Sequence, residues 1–199
     1  MMRDDSARVI RAFIAIDLSP EIAQSLDQVL SDLKRRLPRM PIRWVPVQNI
    51  HLTIKFLGDV SVSNQELLTT MLKAEANRHP PFEIQVGDLG VFPSVRRPRV
   101  IWVGVESSPE LLTLHRGVDA EMARLGYLPE EKSFTPHLTL GRVSRTANSD
   151  EIRRIGDVLS GYKVDVLGRQ RVQAVHFYRS DLQPSGSVYT RLFTASLIS

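Results

Sequence analysis

The chain carries one short pattern twice, as His51-Leu52-Thr53-Ile54 and as His137-Leu138-Thr139-Leu140. Successive side chains of a β-strand alternate between its two faces, so the His and Thr of each copy share one face and the aliphatic residues take the other. Each copy therefore predicts a strand that buries apolar side chains and presents an imidazole and a hydroxyl. The copies lie too far apart for one hairpin, which predicts two similar lobes facing each other across a cleft.

The composition favours a phosphate-bearing partner. Lys and Arg number 26 against 22 Asp and Glu, a net charge of +4, and Arg supplies most of the positive charge. A guanidinium binds phosphate oxygens in pairs, although a solvated basic surface would give the same composition. The chain has no Cys, which excludes a disulfide or zinc–cysteine framework. No apolar run is long enough to span a membrane and Met1–Ser6 does not resemble a signal peptide, so we expect a cytoplasmic protein. We also expect a monomer.

Helix and strand signals follow one another without strict alternation, which favours an α+β fold. Ser19-Pro20-Glu21 and Ser108-Pro109-Glu110 each supply an N-cap, a Pro at the first helical position and an acid in the first turn. We predict helices at about 20–36, 63–79, 109–125 and 150–159. We predict strands at about 11–18, 42–45, 50–57, 82–92, 100–106, 137–143, 162–167, 171–179 and 187–197. The 199 residues suit one domain, with residues 1–8 as a loose tail.

The sequence resembles the 2H phosphoesterase superfamily, and within it the RNA 2',3'-cyclic phosphodiesterase family, also called the 2'-5' RNA ligase family. Beyond the two His-x-Thr-x motifs, the resemblance rests on Arg11–Ile16, Trp44-Val45, Asn49, Phe56-Leu57-Gly58, Phe92-Pro93-Ser94, Arg97-Pro98, Trp102 and Phe134-Thr135-Pro136. One His-x-Thr-x occurs by chance in many strands, whereas two in matching contexts are specific. The resemblance implies two pseudo-symmetric lobes, each an antiparallel sheet with outer helices, on either side of a central cleft.

Two imidazoles can open a cyclic phosphodiester without a metal or cofactor. Water attacks phosphorus in line with the departing ribose oxygen, and a pKa of about 6.5 lets imidazole serve as base or acid at neutral pH. The motifs identify the pair His51 and His137 but not their roles. The resemblance implies that His51 donates a proton to the 3' oxygen, that His137 is the base and that a 2'-phosphate remains. Thr53 and Thr139 can donate hydrogen bonds to the non-bridging oxygens.

A structural role or a metal site would also place histidines in strands, and both have less support here. A hydrogen-bonded structural His does not account for the duplicated His-Thr context. A metal site is disfavoured because neither motif carries a carboxylate at ligand spacing. The remaining histidines lie in unrelated contexts; we expect His79 and His115 on helix surfaces and His176 in a strand.

The resemblance adds two substrate-binding candidates. Phe13 matches an aromatic residue that stacks on a base, although core packing explains it equally well. Arg142 matches an Arg that binds phosphate, but strict alternation puts it on the face of Leu138 and Leu140. Only a β-bulge or a twist at the strand end would bring Arg142 into the cleft.

The most basic segment is residues 93–99, where Arg96, Arg97 and Arg99 form either a charged hairpin tip or a contact for RNA phosphates.

Three functions follow from these motifs. The first is hydrolysis of a terminal 2',3'-cyclic phosphate on RNA or on a small cyclic nucleotide. The second is 2'-5' ligation of tRNA halves, the reverse reaction with a ribose 5'-hydroxyl in place of water, which the far higher concentration of water disfavours. The third is a module that binds RNA or nucleotide ends without turnover. Such a module would have no physical need for both histidines and both threonines.

Overall fold

Four helices pack against two antiparallel sheets in the computed structural model, which describes residues 9–129, 133–184 and 186–198. The strands are β1 (Val9–Ile16), β2 (Ile42–Trp44), β3 (Leu52–Ser61), β4 (Phe82–Ser94), β5 (Arg97–Val105), β6 (His137–Val143), β7 (Gly168–Val172), β8 (Ala174–Gln183) and β9 (Gly186–Ser196). The helices are α1 (Pro20–Arg36), α2 (Gln65–Ala76), α3 (Pro109–Arg124) and α4 (Ser149–Gly161). The α+β class is confirmed, while residues 1–8, predicted as a loose tail, lie outside the described residues.

The two sheets draw on different parts of the chain. The first has the order β3-β1-β8-β9, and the second has the order β2-β6-β5-β4-β7. The first sheet therefore combines two strands from the start of the chain with two from its end. Helix α2 lies against β8 and β9 and α3 against β3, whereas α1 lies against β7 and α4 against β5. The motif strands β3 and β6 belong to different sheets and contact each other.

Both Ser-Pro-Glu helix starts are confirmed. The Oγ of Ser19 accepts a hydrogen bond from the Ile22 N–H at 3.3 Å, and the Oγ of Ser108 accepts one from the Leu111 N–H at 3.2 Å. Each of these bonds satisfies a backbone donor that the first turn of a helix leaves open. The predicted bounds of α1 are those observed.

Helix α2 is shorter than predicted. After Ala76 the chain tightens, because the N–H groups of Arg78 and His79 donate to carbonyls only three residues earlier. His79 is therefore not on a helix surface, as expected, but follows the helix with its side chain only 12% exposed. Its Nε2 lies 2.7 Å from the Glu75 carboxylate.

Two strand predictions near the end of the chain are wrong. Residues 162–167 run beside β4 without forming a regular strand, and the Leu167 N–H donates to the Val86 carbonyl at 2.8 Å. The predicted strand 171–179 is two strands, β7 and β8, and the chain passes from the second sheet to the first at Gln173. Buried Val172 and Val175 lie on either side of this crossing, so an apolar pattern alone could not reveal it.

No helix among the described residues is long and apolar enough to cross a membrane.

An ion pair with a buried lysine joins the first motif strand to α3. The Lys55 side chain on β3 is 1% exposed, and its ammonium binds the Asp119 carboxylate and donates to the Leu128 carbonyl at 2.7 Å. A charge removed from water is tolerated only with such partners. The pair therefore holds β3 and α3 together at the level of the first motif.

We expect Asp119→Ala to lower the free energy of unfolding by about 3 kcal/mol, because it leaves the Lys55 ammonium buried without its counter-ion. Urea unfolding followed by circular dichroism measures this. The matched control is Asp150→Ala, which removes an ion pair with Arg153 between side chains that are 83% and 72% exposed. The control should cost less than about 1 kcal/mol, and an equally small loss in Asp119→Ala would contradict the role given to the Lys55–Asp119 pair.

Candidate active site

A β-bulge lies directly after the motif threonine in β6. Thr139 faces Trp102 of β5 and Gly141 faces Ile101, so Leu140 is an extra residue with no partner across the strand pair. An extra residue reverses the alternation of side chains beyond it.

The same bulge occurs at the same place in β3. Thr53 faces Ala15 of β1 and Lys55 faces Ile14, so Ile54 is the extra residue. Residues 51–57 and 137–143 also have the same burial at every equivalent position, whether half-buried, buried or exposed. The two motifs are therefore copies in backbone conformation as well as in sequence.

The bulge brings Arg142 to the face of the motif histidine. The Arg142 side chain is exposed, whereas the next residue, Val143, is buried. Arg142 therefore points away from the core. The irregularity that the sequence required for Arg142 is present. Phe56 occupies the equivalent position in the first motif and is 57% exposed. Aligning the two motif copies would have revealed Phe56 as a further candidate.

The His137 ring is oriented by a backbone carbonyl. Its Nδ1 lies 2.7 Å from the Thr135 carbonyl oxygen, which can only accept a hydrogen bond. In the neutral ring Nδ1 therefore carries the proton, and Nε2 keeps its lone pair. Phe92 contacts the ring edge-on, with centroids 5.1 Å apart, and Trp102 lies 5.9 Å away.

The Asn49 backbone, two residues earlier, interacts with the His51 ring and favours its charged form. Phe13 stacks on it with centroids 4.6 Å apart, and Tyr189 meets it edge-on at 5.2 Å. Burial lowers the pKa of His51 to about 4, although the Asn49 backbone and the charge of Asp17 act in the opposite direction. The His51 imidazole is therefore neutral at neutral pH in the free protein.

Of the two roles left open for Phe13, the structure places it in the core. Phe13 is 3% exposed, and its ring is close to those of His51 and Tyr178, with centroids 4.6 and 5.3 Å away. With so little of the ring exposed, a base cannot stack on it. Phe13 instead supports the His51 ring from below.

A pocket of about 310 Å³ adjoins His51. In its wall the Asp17 carboxylate accepts hydrogen bonds from the Tyr178 hydroxyl, at 2.7 Å, and from the Arg191 guanidinium. Tyr189 also lines the pocket. The sequence did not indicate this group, because its members come from the two ends of the chain and meet only through the pairing of β1 with β8.

Two arginines oppose each other at the edge of the second sheet. Arg43 of β2 directly faces Arg142 of β6, and both are exposed. Within the described residues, neither forms a salt bridge with a carboxylate. Like charges in directly opposed positions destabilise a sheet, so this pair suits an anion bound between the two guanidinium groups. No motif around Arg43 in the sequence indicated that it would be a site residue.

The other histidines have structural contacts. His115 is half-buried rather than on the helix surface and stacks on Phe134 with centroids 3.8 Å apart. His176 lies in β8, and its Nδ1 is 3.0 Å from the Thr194 Oγ1. No group of three or more His, Cys, Asp and Glu in the described part of the chain could hold a metal ion.

Comparison with known proteins gives a consistent assignment. Residues 16–102 match the family model described as LigT-like phosphoesterase. The RNA 2',3'-cyclic phosphodiesterase of Methanothermobacter thermautotrophicus is 34% identical, over 91% of this chain and 95% of its own. That of Aquifex aeolicus is 30% identical, over 92% and 95%.

Solved structures of related proteins have the same fold. A protein of Thermus thermophilus superposes with a TM-score of 0.79 at 27% identity, over 94% of this chain and 98% of its own. Escherichia coli LigT complexed with 3'-AMP gives a TM-score of 0.73 at 26% identity, over 96% and 100%. The paired motifs, the fold and the similarity over nearly the whole chain show that this protein belongs to the LigT-like phosphoesterase family of the 2H superfamily.

Proposed function

We propose that this protein opens the terminal 2',3'-cyclic phosphate of RNA by paired His acid–base catalysis, without a metal, and leaves a 2'-phosphomonoester. The main support is the matched pair of motifs, which share a bulge after the threonine and one burial pattern. The names of its curated relatives agree with this activity. The monomeric state and cytoplasmic location expected from the sequence stay predictions.

In the proposed mechanism, His137 is the base and His51 the acid. His137 donates from Nδ1 to the Thr135 carbonyl, so its Nε2 can take a proton from the attacking water. His51 must carry a proton to protonate the 3' oxygen, yet burial keeps it neutral in the free protein. The negative charge of a bound cyclic phosphate favours the imidazolium form and raises the pKa of His51. Substrate binding thus supplies the acid form where it is needed.

The remaining groups bind the substrate. Thr53 and Thr139 donate to the two non-bridging oxygens, where negative charge accumulates. Arg142, with Arg43 beside it, binds a phosphate at the edge of this site. Phe56 takes the base-stacking role that Phe13 cannot fill, since its ring is exposed in the position equivalent to Arg142.

The central test is turnover of a short RNA that ends in a 2',3'-cyclic phosphate, in a strong chelator. We expect the intact protein to form a 2'-phosphate, and His51→Ala or His137→Ala to lower kcat by about 10² to 10⁴. His115→Gln is the control and should keep near-normal activity. Activity lost in chelator and restored by zinc would contradict the metal-free mechanism.

Other products of the same assay would favour the alternative functions. A 2'-5'-ligated product that accumulates faster than the hydrolysed one would favour the ligase. Saturable RNA binding with no turnover at any pH would favour a binding module.

The coupling of His51 to substrate is measurable by NMR titration. We expect the pKa of His51 to be about 4 in the free protein and to rise when a nucleoside 2'-phosphate is bound, because the phosphate stabilises the imidazolium. The signal of His115 should not respond to the ligand. A pKa of His51 that is unchanged at saturating ligand would contradict the role of His51 as an acid.

The Arg43–Arg142 pair predicts opposite effects on binding and on stability. Arg43→Gln should weaken binding of a nucleoside 2'-phosphate by about tenfold, because one guanidinium contact is lost. It should also raise the free energy of unfolding of the free protein by a few tenths of a kcal/mol, because the repulsion from Arg142 is removed. Calorimetric binding and urea unfolding measure the two effects. Weaker binding together with lower stability would indicate a merely structural role for Arg43.

A further inference from the structure

A basic groove of about 540 Å³ lies between the β4–β5 hairpin and α4. Four arginines line this hairpin groove, and they are Arg96, Arg97, Arg99 and Arg153. The groove shares no residue with the pocket beside His51. The segment predicted to be a basic loop is thus one wall of a second concave site.

The groove is built by close contact of the hairpin with the helix. Strand β4 ends at Ser94 and β5 begins at Arg97, so only two residues form the turn. A Cβ at Gly156 of α4 would lie 2.3 Å from the Val95 carbonyl oxygen, so this approach requires glycine. The Arg99 guanidinium donates to the Ser144 carbonyl at 2.7 Å, which ties the hairpin to the end of β6. The groove is therefore present before any ligand binds.

The charges of the groove favour an anion. Among the residues that the structure describes, no carboxylate forms a salt bridge with Arg96, Arg97 or Arg99. Arg153 pairs with the exposed Asp150 of its own helix. Asp157 is the one acidic residue in the described lining. Three guanidinium groups without a carboxylate partner, against the one carboxylate of Asp157, attract a ligand with several negative charges, and their geometry suits phosphate.

Strand β6 connects the groove to the catalytic histidines. His137 begins the strand, and Ser144, the partner of Arg99, follows its last residue. At the ordinary rise of a strand the two ends are about 20 Å apart. Arg142 lies between His137 and Ser144, so a positive charge stands between the motif histidine and the groove. This span exceeds one nucleotide and matches an RNA several nucleotides long.

We propose that the hairpin groove binds backbone phosphates of the RNA that precedes the terminal cyclic phosphate, so that the enzyme prefers RNA to cyclic mononucleotides. The inference rests on the proposed function, since it concerns the same substrate. Because phosphates carry no sequence information, the preference is independent of sequence and weakens with salt.

The test compares kcat/KM for a nucleoside 2',3'-cyclic phosphate with kcat/KM for a single-stranded RNA of about ten nucleotides. In the double variant Arg96→Gln/Arg97→Gln, the value for the RNA should fall about tenfold, while the mononucleotide value stays unchanged. The slope of log kcat/KM for RNA against log salt should become shallower by about 1. The matched control Arg116→Gln/Arg171→Gln removes the same charge from α3 and β7, outside the groove lining, and should keep the preference for RNA.

Other results would overturn the groove or the proposed function separately. No preference for RNA in the intact protein, or an equal loss in the control variant, would contradict the groove. If the intact protein turns over neither substrate, the proposed function has failed. Fluorescence anisotropy of a labelled RNA with an ordinary 3'-hydroxyl then decides the groove alone: weaker binding by the groove variant than by the control supports it, and equal binding refutes it.

Discussion

The extra residue after each motif threonine determines which side chains reach the cleft. Ile54 and Leu140 reverse the alternation of their strands, so the third residue beyond each threonine, Phe56 or Arg142, joins the histidine face. The reversal also turns the second residue after each threonine towards the core, and the two copies have different residues there. One places a lysine there and neutralises it with Asp119. The other has Gly141, where a Cβ would lie 2.8 Å from the Trp44 ring. One backbone irregularity thus governs both the cleft and the core beneath it.

The two motif copies have almost the same sequence but different surroundings. The His137 ring is oriented by its hydrogen bond with the Thr135 carbonyl, and the Asn49 backbone interacts with the His51 ring. Their aromatic neighbours are arranged differently. Phe13 stacks flat beneath His51, whereas Phe92 meets His137 with its edge. Burial removes His51 from water and lowers its pKa, so the scaffold holds the first imidazole in its neutral form until a negative charge binds beside it.

Local signals in the sequence predicted the elements well, and long-range partners could not be predicted. The Ser19 and Ser108 caps and the bounds of α1 and β6 depend on neighbouring residues, and these agree with the structure. The burial of Phe13 depends on Tyr178, far away in the chain, and the pocket beside His51 depends on Asp17 meeting Arg191. The crossing at Gln173 interrupts no apolar pattern. The bulges carry no compositional mark either, and only the alignment of one motif copy with the other would have revealed Phe56.

The order of strands in the first sheet has a consequence for the newly made chain. Strand β1 lies between β3, which follows within the first third of the chain, and β8, which comes near its end. During synthesis one edge of β1 can pair early, but the other has no partner until almost all residues have been made. An open strand edge pairs readily with other chains, and late pairing of distant segments is slow. We therefore expect the emerging polypeptide to be most vulnerable to misassembly until the β8–β9 hairpin closes the sheet.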